Sequence, residues 1–285
     1  TAVRDAFYTW NGAQELAGVL VLGDTVYETG TDLEFQNKFF NIYPTLMRNT
    51  TFWPTFGNHD AGSASSSTQS GPYYDSFTMP KAGEAGGVAS GTEAYYSFNV
   101  GNIHFVCLDS EGSSLLATGN MAAWLEQDLN ANLQEWTVAY WHHPAYSKGS
   151  HDSDIATADS GKMKNMREVF VPILENHGVD LLLFGHEHNY QRSKFIDGHY
   201  DVSSTFDPAT MVKQAGLGDP AVDGPYVKSP GPHNGAVFTV AGSSGKLTVA
   251  TLNHAAMAVN RTELGSVVLD VTGRELMARF INSTG

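Results

Sequence analysis

Val179-Asp180-Leu181-Leu182-Leu183-Phe184-Gly185-His186-Glu187-His188 is the stretch from which the rest of this chain is read. Its run of Val, Leu and Phe barely alternates with polar residues. Such a run fits a strand buried on both faces, as the strands of parallel sheets are. The run then stops at a glycine followed by two imidazoles. Four other apolar runs end in the same manner. They are Ala17–Leu22 before Gly23-Asp24, Thr51–Phe56 before Gly57-Asn58-His59-Asp60, Ile103–Leu108 before Asp109-Ser110, and Trp136–Trp141 before His142-His143-Pro144. Helical patterns lie between them. Thr31-x-x-Glu34 predicts a capping box opening a helix over Asp32–Arg48. Met121, Leu125, Leu129 and Leu133 recur at helical spacing, as do Met163, Met166, Phe170, Ile173 and Leu174. Gly178 is placed to stop that last helix and Pro172 to kink it. Strands alternating with helices predict an α/β fold whose functional loops follow the strand ends.

Composition narrows the field. The 285 residues are 41% hydrophobic and only 16% charged, which argues against disorder and coiled coil. Sixteen Lys and Arg against thirty Asp and Glu leave a net charge of −14. No basic cluster offers itself to nucleic-acid phosphates or to an anionic membrane surface. No apolar stretch approaches the ~20 residues of a membrane span. Cys107 is alone, so neither an internal disulfide nor a thiolate zinc cluster can form. Gly62–Gly71, rich in Ser and Gly, reads as a flexible loop, and Ala94–Phe98 with Ile103–Leu108 as a hairpin. Beyond His199 the chain turns loop-rich through Phe206–Asn234. Strand-like runs return at Ala236–Val240, Ser266–Val271 and Leu276–Ile281. With no repeat and no linker, one domain over 1–285 is predicted.

Taken singly, the polar residues at the strand ends have ordinary explanations. Asp24 can cap a turn, Tyr27 can be half-buried, Asn58 and Asp60 form turns readily, and a lone His59 is usually structural. His142-His143 is a stronger signal, although neighbours on an extended chain point to opposite sides. His186 and His188, two residues apart, would project to one side, with Glu187 facing away. Together, four strand ends deliver carboxylate, phenol, carboxamide and imidazole. Divalent and trivalent metals of hard or borderline character prefer that set. A two-metal clamp for in-line displacement at phosphorus is the reading these ligands favour.

Gly23-Asp24-Thr25-Val26-Tyr27, Gly57-Asn58-His59-Asp60, His142-His143-Pro144 and Gly185-His186-Glu187-His188 resemble, in order, the motifs of the calcineurin-like metallophosphoesterases. The tyrosine three residues after the aspartate marks the purple acid phosphatase branch. The resemblance implies a four-layer αββα sandwich of two mixed sheets flanked by helices, with the metal site at strand ends. It implies that Asp24 bridges two metals, that Tyr27 and His188 complete the first site, and that Asn58, His142 and His186 hold the second. His59 would contact substrate and protonate the leaving oxygen, with Asp60 orienting it. His151 lies where plant relatives place a substrate-contacting histidine. The family reserves no ligand role for His143, which then sits behind the ligands or packs.

The implied metals are Fe(III) with Fe(II), Zn or Mn. They would supply hydroxide at mild pH for hydrolysis of a phosphate monoester. A phosphodiesterase or nucleotidase on the same site is an alternative, and an inactive domain that binds a phosphorylated ligand is another. The family's Asp-x-Gly motif, normally upstream of Gly23-Asp24, has no counterpart here. Asp5 is followed by Ala6-Phe7 and is not that motif. A chain lacking the family's first strand is therefore expected. A small-molecule phosphate ester is the expected partner, and extracellular or periplasmic export follows from the resemblance alone. The Asn-x-Ser/Thr sequons at Asn49, Asn260 and Asn282 add nothing beyond chance.

Overall fold

The computed structural model describes all 285 residues, Thr1–Gly285. The run Leu181–Phe184 is a strand buried at every position. In chain order the strands are β1 (Val19–Val21), β2 (Phe52–Pro54), β3 (Tyr96–Val100), β4 (Ile103–Cys107), β5 (Trp136–Trp141), β6 (Leu181–Phe184) and β7 (Tyr190–Ser193). They continue with β8 (Phe195–Ile196), β9 (Val212–Gln214), β10 (Val237–Ala241), β11 (Met257–Arg261), β12 (Gly265–Thr272) and β13 (Glu275–Asn282). Seven form one mixed sheet in the order β11-β7-β10-β6-β5-β4-β3. Its centre, β4, β5, β6 and β10, is parallel, and antiparallel strands lie on both sides. β1 pairs β2 in parallel, and β12 pairs β13 as a long antiparallel hairpin.

Alternation along the central strands separates two cores. Val138, Tyr140, Leu181 and Leu183 face a cluster with Val26, Phe35, Phe56 and Tyr96, against which Leu20, Val21, Trp53, Leu269 and Leu276 also pack. β1–β2 and β12–β13 therefore cover this face as the second β layer. Ala139, Trp141, Leu182 and Phe184 face the other way. There they meet Met121, Leu125 and Leu129 of the helix Asn120–Ala131, and Phe170 and Leu174 near the helix Val171–Asn176. Helices on the outside of both layers complete the αββα sandwich.

Several local expectations are corrected. The predicted helix Asp32–Arg48 opens with the capping box, Glu34 N donating to Thr31 Oγ1 at 3.4 Å and Thr31 N to Glu34 Oε2 at 3.1 Å. It then widens into a π turn at Gln36–Phe40 and breaks before Pro44, leaving a 3₁₀ turn at Leu46–Arg48. Leu133 lies beyond the end of its helix and is 94% exposed, so only Met121, Leu125 and Leu129 form the buried stripe. Before Pro172, which has no N–H to donate, the helix widens into a π turn at Met166–Phe170. The Gly62–Gly71 segment is tied down. Ser65 and Ser70 exchange backbone hydrogen bonds, and Tyr74 Oη donates to Ser66 Oγ at 3.1 Å.

Candidate metal centre

The C-terminal ends of β1 and β2 from one layer, and of β5 and β6 from the other, meet at one seam. Glycines make the approach close enough. A Cβ on Gly57 would collide with the backbone nitrogen of Asp24, and one on Gly185 with the carbonyl oxygen of Leu22. Asp24, held at φ 49°, turns its carboxylate into the seam. Its Oδ1 accepts from the His59 amide at 2.9 Å. Its Oδ2 lies 3.2 Å from the Tyr27 hydroxyl and 3.4 Å from His142 Nε2. To one side of it, Tyr27 Oη is 3.1 Å from His188 Nε2. To the other, Asn58 Oδ1 sits 3.0 Å from His142 Nε2 and 3.1 Å from His186 Nδ1, and these two nitrogens are 3.1 Å apart.

Proton bookkeeping shows what this pocket needs. His142 Nδ1 faces the Leu22 carbonyl at 2.8 Å, and a carbonyl only accepts, so Nδ1 carries the proton. His186 Nε2 lies 3.3 Å from Asp159 Oδ2, close enough for the carboxylate to favour the proton on that nitrogen although no aligned hydrogen bond joins them. The opposite nitrogens, His142 Nε2 and His186 Nδ1, therefore turn lone pairs toward each other, toward Asn58 Oδ1 and, from His142, toward Asp24. Two imidazole nitrogens, a carboxamide oxygen and a carboxylate oxygen converging on one point, with the Tyr27 hydroxyl beside them, are the donor set of a cation site, and the Leu22 carbonyl fixes the His142 ring from behind. The field agrees. Burial works against the charge on Asp24, but His142 and the His59 amide hold its carboxyl well below the usual range. Burial, with the charge of Asp24 added, holds the Tyr27 proton far above the usual phenol range. Only a cation at Oη would release it. The residues present thus fit a metal pair centred on Asp24, with Asn58, His142 and His186 on one side and Tyr27 with His188 on the other.

The reason His186 and His188 reach the same pocket is not strand alternation. Residues 185–189 form a tight turn in which Glu187 N donates to Gly185 O and Asn189 N to Glu187 O, both at 2.8 Å, and His186 has φ 64°. Glu187 faces away as expected and is fully buried. Its carboxylate accepts from the His151 amide at 2.7 Å, from Ser150 Oγ and from Asn189 Nδ2. It thereby holds the loop that carries His151. The His151 ring lies 3.9 Å from that of His186, and its Nδ1 is 3.1 Å from both oxygens of Asp159. Asp159 was not singled out in the sequence. It lies in an Asp-Ser-Gly turn with Asp159 and Ser160 both at positive φ, a local turn signal that gives no hint of its partners.

Asp60 departs from its expected place. The chain turns into a 3₁₀ helix at Asp60–Gly62, which directs Asp60 back beneath the loops and His59 outward. The Asp60 carboxylate accepts from the Thr25 amide at 3.1 Å and the Gly57 amide at 3.1 Å, locking the β1 loop to the β2 loop. Burial and the nearby Asp24 charge push it up to about 7. His59 is oriented instead by the Glu28 carbonyl, 2.6 Å from Nδ1, and by the Tyr27 ring at 4.3 Å. His143 lies behind the ligands, with Nδ1 2.9 Å from Ser110 Oγ and its ring 4.4 Å from that of His186. Asp5, on the helix Ala2–Asn11, is bonded to Arg4 and 58% exposed, away from the seam.

The pattern that defines the calcineurin-like phosphoesterases matches residues 5–190. The chain belongs to that family, in its purple acid phosphatase-like branch. Purple acid phosphatase 15 of Arabidopsis thaliana is 32% identical over 203 residues, 62% of this chain and 36% of that protein. A probable inactive purple acid phosphatase 9 from the same plant is 27% identical over 194 residues, 60% of this chain and 29% of that protein. The fold matches a purple acid phosphatase from yellow lupin seeds at a TM-score of 0.68 and 17% identity, covering 99% of this chain and 46% of that one. The chain spans about a third of the length of these curated relatives.

Proposed function

We propose that this chain hydrolyses phosphate monoesters at a dinuclear centre held by Asp24, Tyr27, Asn58, His142, His186 and His188. The convergence of His142 Nε2, His186 Nδ1, Asn58 Oδ1 and Asp24 Oδ2 on one point carries this reading. When bound, the two ions would neutralise phosphoryl charge and activate water, and a phenolate from Tyr27 favours Fe(III) beside it, with Fe(II), Zn or Mn as the second. His59 stands at the open side of the pair, its Nδ1 fixed by the Glu28 carbonyl, so that Nε2 is the atom that gives a proton to the departing oxygen. His151, held by Asp159 and by the Glu187 anchor, contributes a second imidazole to bind the anionic ester. Export to an extracellular or periplasmic space belongs to the same reading and rests on the family alone.

The test combines elemental analysis with rates on mono- and bis-nitrophenyl phosphate. At least two metals per chain including iron, a visible charge-transfer band absent from Tyr27→Phe, and preference for the monoester are expected. Preference for the diester would make the chain a phosphodiesterase. Metal loading without turnover would make it a phosphate-binding domain. His59→Ala should slow esters with poor leaving groups by roughly 10²–10⁴-fold and nitrophenyl esters far less. Equal losses on both would remove His59 from proton donation.

A further inference from the structure

A second converging set of donors lies at the opposite end of the main sheet's central strands, where β6 and β10 begin. Glu175 ends the helix leading to β6, Asp197 follows β8, and His233 precedes β10. One donor atom from each lies within 4.8 Å of the others. Glu175 is 97% buried, being 3% exposed. Its Oε2 accepts from the Gly198 amide at 2.9 Å and the Tyr200 hydroxyl at 2.5 Å, while its Oε1 has no partner at all.

The imidazole deepens the puzzle. His233 Nε2 is 2.7 Å from Asn176 Oδ1, an acceptor, so Nε2 carries the proton. Nδ1 faces Asp197 Oδ1 at 3.0 Å, so both ring nitrogens meet acceptors, and that contact is satisfied either by a proton on Nδ1 or by a cation in its place. Lys213 Nζ, 3.2 Å from Asp197 Oδ2, offsets one of the two carboxylate charges and leaves the other. The His233 amide donates to the Glu175 carbonyl at 3.0 Å, so the loop holds its imidazole over this point.

We propose that Glu175 Oε1, Asp197 Oδ1 and His233 Nδ1 form a third metal site, separate from the centre at the strand ends. Two carboxylate oxygens and one imidazole nitrogen suit a divalent ion of the zinc or manganese kind, with water completing its coordination. The ion joins three segments distant in sequence and staples the loop-rich stretch before β10 to the sheet. Its duty is structural, since none of the three side chains reaches the residues around Asp24.

Equilibrium dialysis of the full, metal-loaded chain against zinc tests this, with bound zinc counted per chain. His233→Ala and Asp197→Asn should each bind one zinc fewer than the unaltered chain and keep its rate on nitrophenyl phosphate. Zinc should raise the melting temperature of the unaltered chain and leave that of His233→Ala unmoved. Equal zinc counts in all three proteins would overturn the site. So would an Asp197→Asn that melts higher than the unaltered chain with or without zinc, because the carboxyl pair would then be sharing a proton. The nitrophenyl phosphate rates, read on the same samples, report separately on the phosphatase reading.

Discussion

Asp159 touches two histidines with different duties. Its Oδ2 faces Nε2 of His186, whose other nitrogen points at the metal pocket, and both its oxygens lie 3.1 Å from Nδ1 of His151. One carboxylate therefore fixes the ring of a ligand and the ring that meets substrate. Outer partners of metal-bound histidines typically carry 10–100-fold in affinity or activity. Asp159→Asn should therefore lose about 10–100-fold in kcat/KM on nitrophenyl phosphate. It should also retain less metal after gel filtration and be inhibited less by inorganic phosphate, with Asp159→Glu recovering part of each. Unchanged metal retention with unchanged phosphate inhibition would count against this linkage. Asp159 could not be found from sequence, because its turn signature is local while both its partners arrive by folding.

At the scale of elements, the loops at the seam are held by buried polar anchors rather than by apolar packing. Glu187 is the clearest case, since three donors from two segments, Ser150 Oγ, the His151 amide and Asn189 Nδ2, point at one carboxylate. Glu187→Gln turns an amide N–H₂ toward those donors and should destabilise the fold by about 1–3 kcal/mol in denaturant unfolding. It should also expose the loop around His151 to proteolysis. Stability within experimental error of the unaltered chain would show that the anchor is dispensable. The same use of polar groups hid some strands. β7 reads Tyr-Gln-Arg-Ser, which signals no buried strand, yet Gln191 is fully buried and bonds Ser147 Oγ at 2.7 Å and Asn189 Oδ1 at 2.9 Å. β8, β9 and β11 are short or weakly patterned and were likewise not anticipated.

For the whole molecule, two buried histidines tie stability to pH. Burial drives His199 down to about 4 and His254 down to about 3, and both are almost fully enclosed. In the unfolded chain they take up protons near 6.5. Below that pH the unfolded state binds protons that the folded state refuses, so stability falls as pH drops from about 6.5 toward 4. Above 6.5 they contribute no slope. Each histidine accounts for up to about 1.4 kcal/mol per pH unit in that window. Glu175, pushed upward, acts in the opposite sense as pH rises toward 8. The measurement is therefore a comparison. Urea unfolding at several pH values should show a shallower acid slope in His254→Asn than in the unaltered chain, and parallel slopes would exclude this histidine.

The sequence alone determined the alternation of buried strands with helices, the order of the strand-end motifs and the chemical types gathered there. Those features repeat locally, because strand periodicity and turn chemistry act over a few residues. It determined the ligand types of the metal pocket but not how they meet. The meeting of β1 and β2 with β5 and β6, the turn rather than strand that aims His186 and His188, and the diversion of Asp60 from His59 to the Thr25 and Gly57 amides were decided by tertiary structure. So were the partners of Asp159, Glu187 and Glu175. Each depends on groups far apart in the chain, and whether a polar side chain is buried, paired or left without a donor exists only once the two β layers have closed on each other.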